Sequence, residues 1–404
     1  MNTEVTQIIK NSLKKLLKYC QDNNWAGYDP YDALNSRVFP YIPFVQNRIG
    51  RLIFTQLMKR SPINFRPIMG VPKEQNPKAL ALFVSSLIKL HDLGYVENLK
   101  IINSLLNRLI ELRSPNNSHF CWGYNFDWQT RFLLVPKYTP NAICTVFVGN
   151  AFLDAHEKFP DSHHMEPAIQ AGRFLLEDLN ISRVADDKIC FSYTPLDHER
   201  VHNTNFISAA FLGRLYSLTG EKEFLEYGLS AIRYSSEKQN PDGSWYYGEG
   251  DTQRWIDNFH TGYNLVALKK FSSYAKTDQF LNHIEKGLDF YIHRFFKENG
   301  IARYFHNRTY PIDIHSIAQS IITLMELKEI REGSMGLAIS LIEWALKNMR
   351  DDKGYFYYRA GRIFRNRIPY MRWSQAWMLY ALTEFELLNH SRGGDINIIG
   401  SGVI

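Results

Sequence analysis

The sequence predicts an all-α fold, a closed (α/α)6 toroid of about six helical hairpins with short Gly-aromatic β-turns at one rim. Three observations predict it. Apolar helices recur about every 57 residues, with equivalent positions at Ala210, Ala267, Thr323 and Ala381. An amphipathic helix precedes each apolar one, and a turn rich in Gly and aromatic residues separates the two. Because a two-helix unit cannot bury its own apolar face, the units must stack on one another.

The amphipathic helices are predicted to form an outer layer, because their apolar residues recur on one face only. They span residues 4–20, 96–113, 165–179, 221–238, 277–296 and 334–349. The inner helices are apolar around most of their circumference, which is typical of helices enclosed on all sides. They span residues 78–90, 141–155, 205–218, 261–274, 316–327 and 375–387. Closure into a double ring is the prediction, and an open superhelix of helix pairs is the alternative that the same periodicity permits.

The turns between outer and inner helices carry Gly beside Asp or an aromatic residue, as in Trp122-Gly123 and Asp242-Gly243. Asp-Gly favours positive φ and tight hairpins. Short β-ribbons are therefore expected at the end of the ring where the inner helices begin. The mouth formed there is the predicted ligand site.

The domain organisation follows from the extent of the repeat. Residues 1–388 of the 404 are predicted to form one toroid, within which residues 22–76 are an irregular covering segment without the repeat. Residues 389–404 are predicted to be a separate C-terminal tail. The N-terminus lacks a secretory pattern, and the four cysteines of the chain are scattered along its sequence. We therefore expect a cytoplasmic protein without a membrane span.

The formal net charge of +6 comes without a long basic run, which argues against nucleic acid as a partner. It permits an anionic substrate if Arg362, Arg365, Arg367 and Arg372 face the mouth. A solvated basic loop is the alternative for these arginines. Oligomeric state has no signature in the sequence.

Polar residues interrupt the inner helices at their N-terminal ends, which the repeat places at comparable heights. Asn, Asp, Ser and Thr at such positions are first of all helix caps, and this reading is favoured for Thr139, Asn203 and Ser374. His260 and His315 are not preferred caps, and each follows an Asp closely. Asp257 with His260, and Asp313 with His315, are therefore predicted to form acid/base pairs. Tyr263 lies one turn after His260 and completes the predicted catalytic set.

Further side chains at the same height are predicted to bind the substrate, since buried amides need a partner and aromatic rings stack on sugars. They are Asn141, Asn203, Asn205, Trp245, Glu249, Asn258, Gln319, Arg372, Trp373 and Gln375. For the aromatic residues among them, plain packing is the alternative.

The alternating helices and Gly-aromatic turns resemble the (α/α)6 toroids of six-hairpin glycosidases, polysaccharide lyases and sugar epimerases. Residues 239–264 and 369–377 resemble uncharacterised bacterial proteins associated with polysaccharide biosynthesis. The resemblance implies an oligo- or polysaccharide as partner. Residues 239–245 also match the Gln-x-x-x-Gly-x-Trp turn of squalene-type terpene cyclases, which are α/α toroids too. Because their Asp-x-Asp-Asp motif does not occur in the sequence, that turn indicates fold rather than activity.

Three functions remain open at this stage. Hydrolysis requires two carboxylates across the glycosidic bond, for which Glu249, Asp257 and Asp313 are candidates. Lyase or epimerase chemistry on a uronic acid requires a group that neutralises the carboxylate and a Tyr or His that moves the proton, and it is slightly favoured. The candidates for it are Asn258, His260, Tyr263, His315 and Arg372. A glycan-binding accessory protein is the third possibility. No metal-ligand motif is recognised, and we expect neither metal nor cofactor.

Overall fold

The computed structural model describes residues 3–43, 45–131, 133–160, 162–297 and 300–399. Within these ranges the chain forms thirteen α-helices. The outer helices are α1 (Thr3–Asp22), α4 (Lys100–Glu111), α6 (Ser162–Arg173), α8 (Lys222–Glu237), α10 (Leu281–Phe295) and α12 (Ser334–Asn348). The inner helices are α3 (Pro77–Asp92), α5 (Ala142–Lys158), α7 (His202–Thr219), α9 (Asn258–Tyr274), α11 (Ile314–Glu326) and α13 (Trp377–Ile399). The remaining helix, α2 (Arg48–Arg60), precedes the first inner helix.

The inner helices form a closed ring. Each packs against the next in chain order, and α13 packs against α3. The N-terminal helix α1 packs against α13, so the two ends of the chain together complete the last hairpin. The predicted closed toroid is thus confirmed, and the open superhelix is excluded.

Small residues set the distance between neighbouring inner helices. A Cβ on Gly149 of α5 would lie 2.4 Å from the Phe211 ring of α7. In α11, all twelve side chains from Ile314 to Met325 are buried, whereas the outer helix α8 buries one face. This contrast is the burial that the apolar and amphipathic patterns predicted.

Short antiparallel strands occupy the connections that lead from an outer to an inner helix. They are β1 (Trp128–Gln129), β2 (Leu134–Val135), β3 (Ile181–Ala185), β4 (Lys188–Phe191), β5 (Ile312–Asp313), β6 (Arg359–Ala360) and β7 (Arg365–Asn366). The strand orders are β1-β2, β3-β4 and β5-β6-β7, with Trp128 opposite Val135, Ile181 opposite Phe191 and Ile312 opposite Ala360. The predicted β-ribbons at the rim are confirmed.

The segment 22–76 differs from its prediction, because it is not irregular throughout. It contains α2, whose inner side covers a small core of Ala33, Met58 and Val71. The fully buried Arg66 guanidinium bonds Asp32 within the segment at 2.6 Å, and it joins the segment to the ring through a 2.7 Å hydrogen bond to the Tyr370 hydroxyl. The segment is therefore held against the part of the chain that leads into α13.

The C-terminal boundary also differs, since α13 continues without a break from the predicted toroid into the predicted tail. Residues 389–399 prolong this helix, and residues 400–404 lie outside the described residues. Two helices are joined to π-helical turns, Phe174–Asp178 after α6 and Met371–Ala376 before α13. In the part of the chain that the structure describes, no helix is long and apolar enough to cross a bilayer.

Candidate active site

A cavity of about 380 Å³ lies at the mouth where the inner helices begin. Lys78 of α3, Ile143 of α5, Asn203 of α7, His260 of α9 and His315 of α11 all line it. Its walls are largely aromatic and are built from Tyr31, Tyr124, Phe126, Trp128, Tyr193, Tyr247, Trp255, Phe259, Tyr304, Phe305 and Trp373. A concave aromatic site with a few converging polar groups is typical of a small-molecule or glycan site.

Asp257 and His260 form an oriented pair in this cavity. Asp257 caps α9 and accepts a hydrogen bond from the His260 backbone N–H at 3.0 Å. Its other oxygen, Oδ2, lies 2.7 Å from His260 Nδ1 and also accepts a 3.1 Å bond from Trp255 Nε1. A carboxylate beside Nδ1 favours the tautomer that carries its proton on that nitrogen. The His260 ring lines the cavity and is partly exposed.

An aromatic platform adjoins this histidine. The Tyr247 and Trp255 rings stack with centroids 4.4 Å apart and an interplanar angle of 13°. The Tyr247 centroid lies 4.7 Å from that of His260. Because Asp257 also fixes Trp255, one carboxylate positions both the histidine and the platform.

Asp313 and His315 do not form the predicted pair. Asp313 caps α11, accepting from the His315 backbone N–H at 2.9 Å. Its remaining capacity is taken by Arg359 Nε at 2.5 Å and Trp373 Nε1 at 2.9 Å. Asp313 is fully buried and does not line the cavity. The geometry does not support the predicted acid/base pair, and Asp313 instead holds the Trp373 indole at the cavity wall.

The His315 ring is instead paired with Tyr263. The phenol oxygen lies 2.6 Å from His315 Nε2, and both side chains line the cavity. Burial lowers the pKa of His315 well below 6.5, with further contributions from the Lys78 and Arg372 cations. Burial also raises the pKa of Tyr263 well above 10. The pair is therefore neutral near pH 7, and His315 Nδ1 is a buried nitrogen without a partner among the described residues.

Lys78 is a buried amine at the start of α3. Its Nζ lies 4.3 Å from the Phe147 ring centroid and 5.3 Å from that of Trp377. Burial, and secondly the Arg372 cation, lowers its pKa to about 7. Lys78 is not among the site residues that the sequence pattern predicts. The available signal was a charged residue near the start of an inner helix that is otherwise strongly apolar.

Arg372 and Trp373 belong to the π-helical turn that precedes α13. Asp29 binds the buried Arg372 guanidinium at two points, Nε at 2.6 Å and the terminal nitrogen at 2.8 Å. Burial disfavours the charged form of Arg372, but the Asp29 carboxylate outweighs this and raises its pKa. The guanidinium carbon also lies 5.0 Å from the Tyr124 ring centroid. A π-turn at a functional site is a common arrangement because it redirects side chains within a helix.

Asn203 lines the same cavity, and its side-chain oxygen is buried without a partner among the described residues. Val201 precedes α7 without a capping side chain. The capping role favoured for Asn203 in the sequence is therefore replaced by a position on the cavity wall. An unsatisfied buried amide oxygen there is available to a hydroxyl donor.

Four predicted binding amides lie outside this cavity. Asn141 caps α5 by accepting from Cys144 N at 2.8 Å. The Asn205 side chain makes its hydrogen bonds within the fold: it accepts from Phe191 N and donates to Ile189 O and Ala231 O. Gln375 bonds Phe356 through both its side-chain atoms. Asn258 accepts from Tyr291 and Ser320 on neighbouring helices.

Three further predicted residues are also elsewhere. Trp245 is buried against Phe206, and its Nε1 donates to Ser235 O at 2.9 Å, so the indole is a packing group. Glu249 accepts from the Tyr234 hydroxyl and pairs with Arg200 and Lys238. Gln319 lines a second cavity of about 210 Å³ deeper in the ring, together with Tyr263. These three residues therefore do not line the cavity at the mouth, and a binding role for them stays a prediction.

No group of three or more His, Cys, Asp or Glu side chains is arranged to hold a metal ion within the described ranges. The cavity instead offers two histidines, six tyrosine phenols, the Asp257 carboxylate, an amine and a guanidinium. These groups accept and donate protons and bind anions. They suit acid/base chemistry on a polar ligand.

No known family profile matches the chain, and no curated protein does either. Solved structures do match. An unsaturated glucuronyl hydrolase from Bacillus sp. GL1, described as responsible for degrading glycosaminoglycan, superposes with a TM-score of 0.63 at 12% identity over 95% of this chain and 97% of its own. The cellobiose 2-epimerase of Bacillus thermoamylovorans superposes with a TM-score of 0.61 at 9% identity, over 78% of this chain and 90% of its own. A GH76 α-mannanase from Bacteroides thetaiotaomicron gives 0.61 at 11% identity over 80% and 90%. The chain shares the (α/α)6 toroid fold of these enzymes.

Proposed function

We propose that this protein is a carbohydrate-active enzyme that removes or delivers a proton beside the carboxylate of a uronic acid, as an epimerase or a lyase of an acidic glycan. The observation that carries the proposal is the convergence of His260, Tyr263 and His315 with Lys78 and Arg372 on one aromatic cavity. Catalysis requires such groups within reach of a single reacting centre. Three of the four Asp and His residues predicted for acid/base work, Asp257, His260 and His315, line this cavity.

His260 is assigned as the general base. Asp257 fixes its tautomer through the 2.7 Å bond to Nδ1, so Nε2 is the atom that takes the proton from the sugar carbon. The Asp257 carboxylate then stabilises the imidazolium that forms on His260. Tyr263 is assigned as the acid, because its phenol remains protonated at neutral pH. In an epimerase it delivers a proton to the opposite face, and in a lyase it protonates the leaving oxygen.

The two cations are assigned to the substrate carboxylate. Negative charge moves onto that group as the adjacent proton leaves, and nearby cations stabilise it. The charge of Arg372 is already balanced by Asp29. Among the described residues no carboxylate contacts Lys78, so a substrate anion raises its pKa from about 7 and keeps it charged. The stacked Tyr247 and Trp255 rings are assigned to the apolar face of the sugar.

Hydrolysis is the second candidate, and one observation favours it. The glucuronyl hydrolase from Bacillus sp. GL1 superposes on 95% of the chain. Against it, Asp257 is the single carboxylate among the described residues that line the cavity, and it is engaged with His260 and Trp255. Cleavage between two facing carboxylates needs a second one. Glu249 and Asp313, the other sequence candidates, both lie outside the cavity.

The test is incubation of the purified protein in deuterated water with uronic-acid oligosaccharides and matched neutral ones, followed by mass spectrometry and ultraviolet absorbance. Deuterium in an intact uronic sugar is expected for an epimerase, and an unsaturated product for a lyase. Added water with a new reducing end would instead establish the hydrolase. Binding of the same sugars without any chemical change would leave a glycan-binding protein and overturn the enzymatic proposal.

A further inference from the structure

The exposed apolar side chains of this protein are concentrated in one region. Among the described residues, seven large hydrophobic side chains are more than 60% exposed, and all belong to residues 41–68 or 363–364. They are Tyr41, Ile49, Leu57, Ile63, Ile68, Ile363 and Phe364, with exposures from 62% to 85%. Single exposed hydrophobic residues are ordinary, but a concentration of this kind marks an interaction surface.

These residues include a continuous face. Ile49, Ile53 and Leu57 lie four residues apart along α2 and therefore share one side of that helix. Ile53, Leu57 and Phe65 line a common groove. The tip of the β6–β7 hairpin, Ile363 and Phe364, lines a neighbouring groove with Gln56 and Arg60 of α2. Together, Ile49, Ile53, Leu57, Phe65, Ile363 and Phe364 are here called the apolar platform.

The hairpin is fixed to α2, so the two parts of the platform are held together. Asn366 of β7 donates a 2.8 Å hydrogen bond to the Ser61 carbonyl, which directly follows α2. On the opposite side of α2, Thr55, Met58 and Lys59 are buried against the body of the protein. The helix thus has an anchored side and an exposed apolar side.

The surroundings of the platform are basic. The sequence contains no Asp or Glu from residue 33 to 73 or from residue 353 to 383, which are the two stretches that supply the platform. Arg48 and Arg60 on α2 and Arg362 and Arg365 on the hairpin are all exposed. None of the described residues that line the two grooves is acidic.

We propose that the apolar platform docks on the surface of an anionic lipid bilayer. An amphipathic helix with exposed Ile and Leu and flanking arginines is the combination that lies in a membrane interface, its apolar side in the acyl boundary and its cations among anionic headgroups. Charge argues against a second copy of the chain as the occupant. A twofold interface would bring the same arginines of both copies together without acids to pair them.

Docking there also bears on the cavity, although the proposal does not depend on the proposed function. The hairpin groove continues from Arg60 and Phe364 to Tyr304 and Phe305. These two aromatic residues also line the candidate active site. A membrane-docked molecule would therefore hold the entrance of its cavity close to the lipid headgroups.

The test is cosedimentation of the full chain with vesicles of phosphatidylcholine alone and with vesicles of equal parts phosphatidylcholine and phosphatidylglycerol. Binding is expected to the anionic vesicles, and it should weaken as salt is added. The double variant Ile53→Gln, Leu57→Gln keeps helix propensity and removes apolar contact, and it should weaken binding at least about tenfold. Arg60→Gln with Arg362→Gln should weaken binding and remove much of its salt dependence.

The matched control is Val184→Gln with Leu196→Gln, which removes two side chains that are 53% and 54% exposed elsewhere on the surface. It should bind vesicles as the unchanged protein does, and thermal melting should find all variants folded. Failure to bind anionic vesicles, or equal binding by the platform and control variants, overturns the proposal. A concentration-dependent dimer in light scattering that the platform variant abolishes, without vesicle binding, would identify a second copy as the occupant and also overturn it.

Discussion

Asp257–His260 and Asp313–His315 occupy equivalent positions in successive repeats, and the fold uses them differently. Both aspartates cap an inner helix. Asp257 retains an oxygen for the His260 ring, at 2.7 Å, because Trp255 is its only other side-chain partner among the described residues. The side-chain oxygens of Asp313 instead accept hydrogen bonds from Arg359 and Trp373, and the His315 ring is hydrogen-bonded to Tyr263. The first pair orients a histidine in a cavity, and the second aspartate belongs to a buried structural junction with a neutral histidine beside it.

The largest expected effect comes from the base itself. His260→Gln retains a polar side chain beside Asp257 but cannot accept the substrate proton. We expect kcat for deuterium exchange to fall by about 10²–10⁴-fold, with a free energy of unfolding within roughly 1 kcal/mol of the original. The control is His283→Gln, which alters a histidine bonded to Gln239 outside the cavity. Equal kcat in both variants would remove His260 from the chemistry.

The second prediction concerns the two aspartates directly. Asp313→Asn removes a fully buried carboxylate from the partly buried Arg359 cation, and we expect a loss of roughly 3–5 kcal/mol in urea unfolding. Asp257→Asn keeps a good helix cap and should cost about 1 kcal/mol while reducing kcat strongly, because the tautomer of His260 is no longer fixed. If Asp257→Asn proved the less stable of the two variants, the assigned division between orientation and structure would be reversed.

The third prediction concerns the uncompensated cation. The pKa of Lys78 is lowered to about 7 in the folded protein, whereas it is about 10.4 in the unfolded chain. The unfolded state therefore binds more protons between these two values, and stability rises with pH across that window. Lys78→Met removes the free-energy cost of burying a charged amine. It should therefore raise the free energy of unfolding by about 2 kcal/mol below pH 7, and this increase should vanish toward pH 10.

The same Lys78→Met variant should bind acidic sugars more weakly, with KM rising about tenfold and little change for neutral sugars. Chemical denaturation at several pH values and KM with both sugar classes check the two effects. A destabilised variant with an unchanged KM would mean that Lys78 is a packing residue.

The sequence predicted the ring of helices because the spacing of apolar residues along each helix shows whether one face or all faces are buried. It predicted the His260 pair for a similar reason, since the cap and the histidine lie three residues apart on one helix turn. The fate of Asp313 depends on Arg359 and Trp373, which are 46 and 60 positions away in the chain. No local pattern contains that information.

Lys78 and α2 were missed for related reasons. The pKa of Lys78 is set by burial and by Arg372, and these meet only when α13 closes the ring against α3. In α2 the apolar residues face outward, which is the reverse of the pattern used to find core helices. Trp245 was assigned to a ligand because it follows an Asp-Gly turn, yet its Nε1 bonds back to α8. Tertiary contacts decide each of these cases.

The smallest expected effect tests a residue that the sequence placed in the substrate site and the structure places outside it. Glu249→Gln weakens two ion pairs with Arg200 and Lys238, both of which are more than 40% exposed, so solvent screens them. We expect a loss of about 1 kcal/mol or less and an unchanged KM. Asn203→Ala is the matched comparison, because its side chain lines the cavity and should raise KM several-fold. A higher KM for Glu249→Gln than for Asn203→Ala would mean that the substrate extends beyond the cavity toward α8, and that a second carboxylate is near the reacting bond after all.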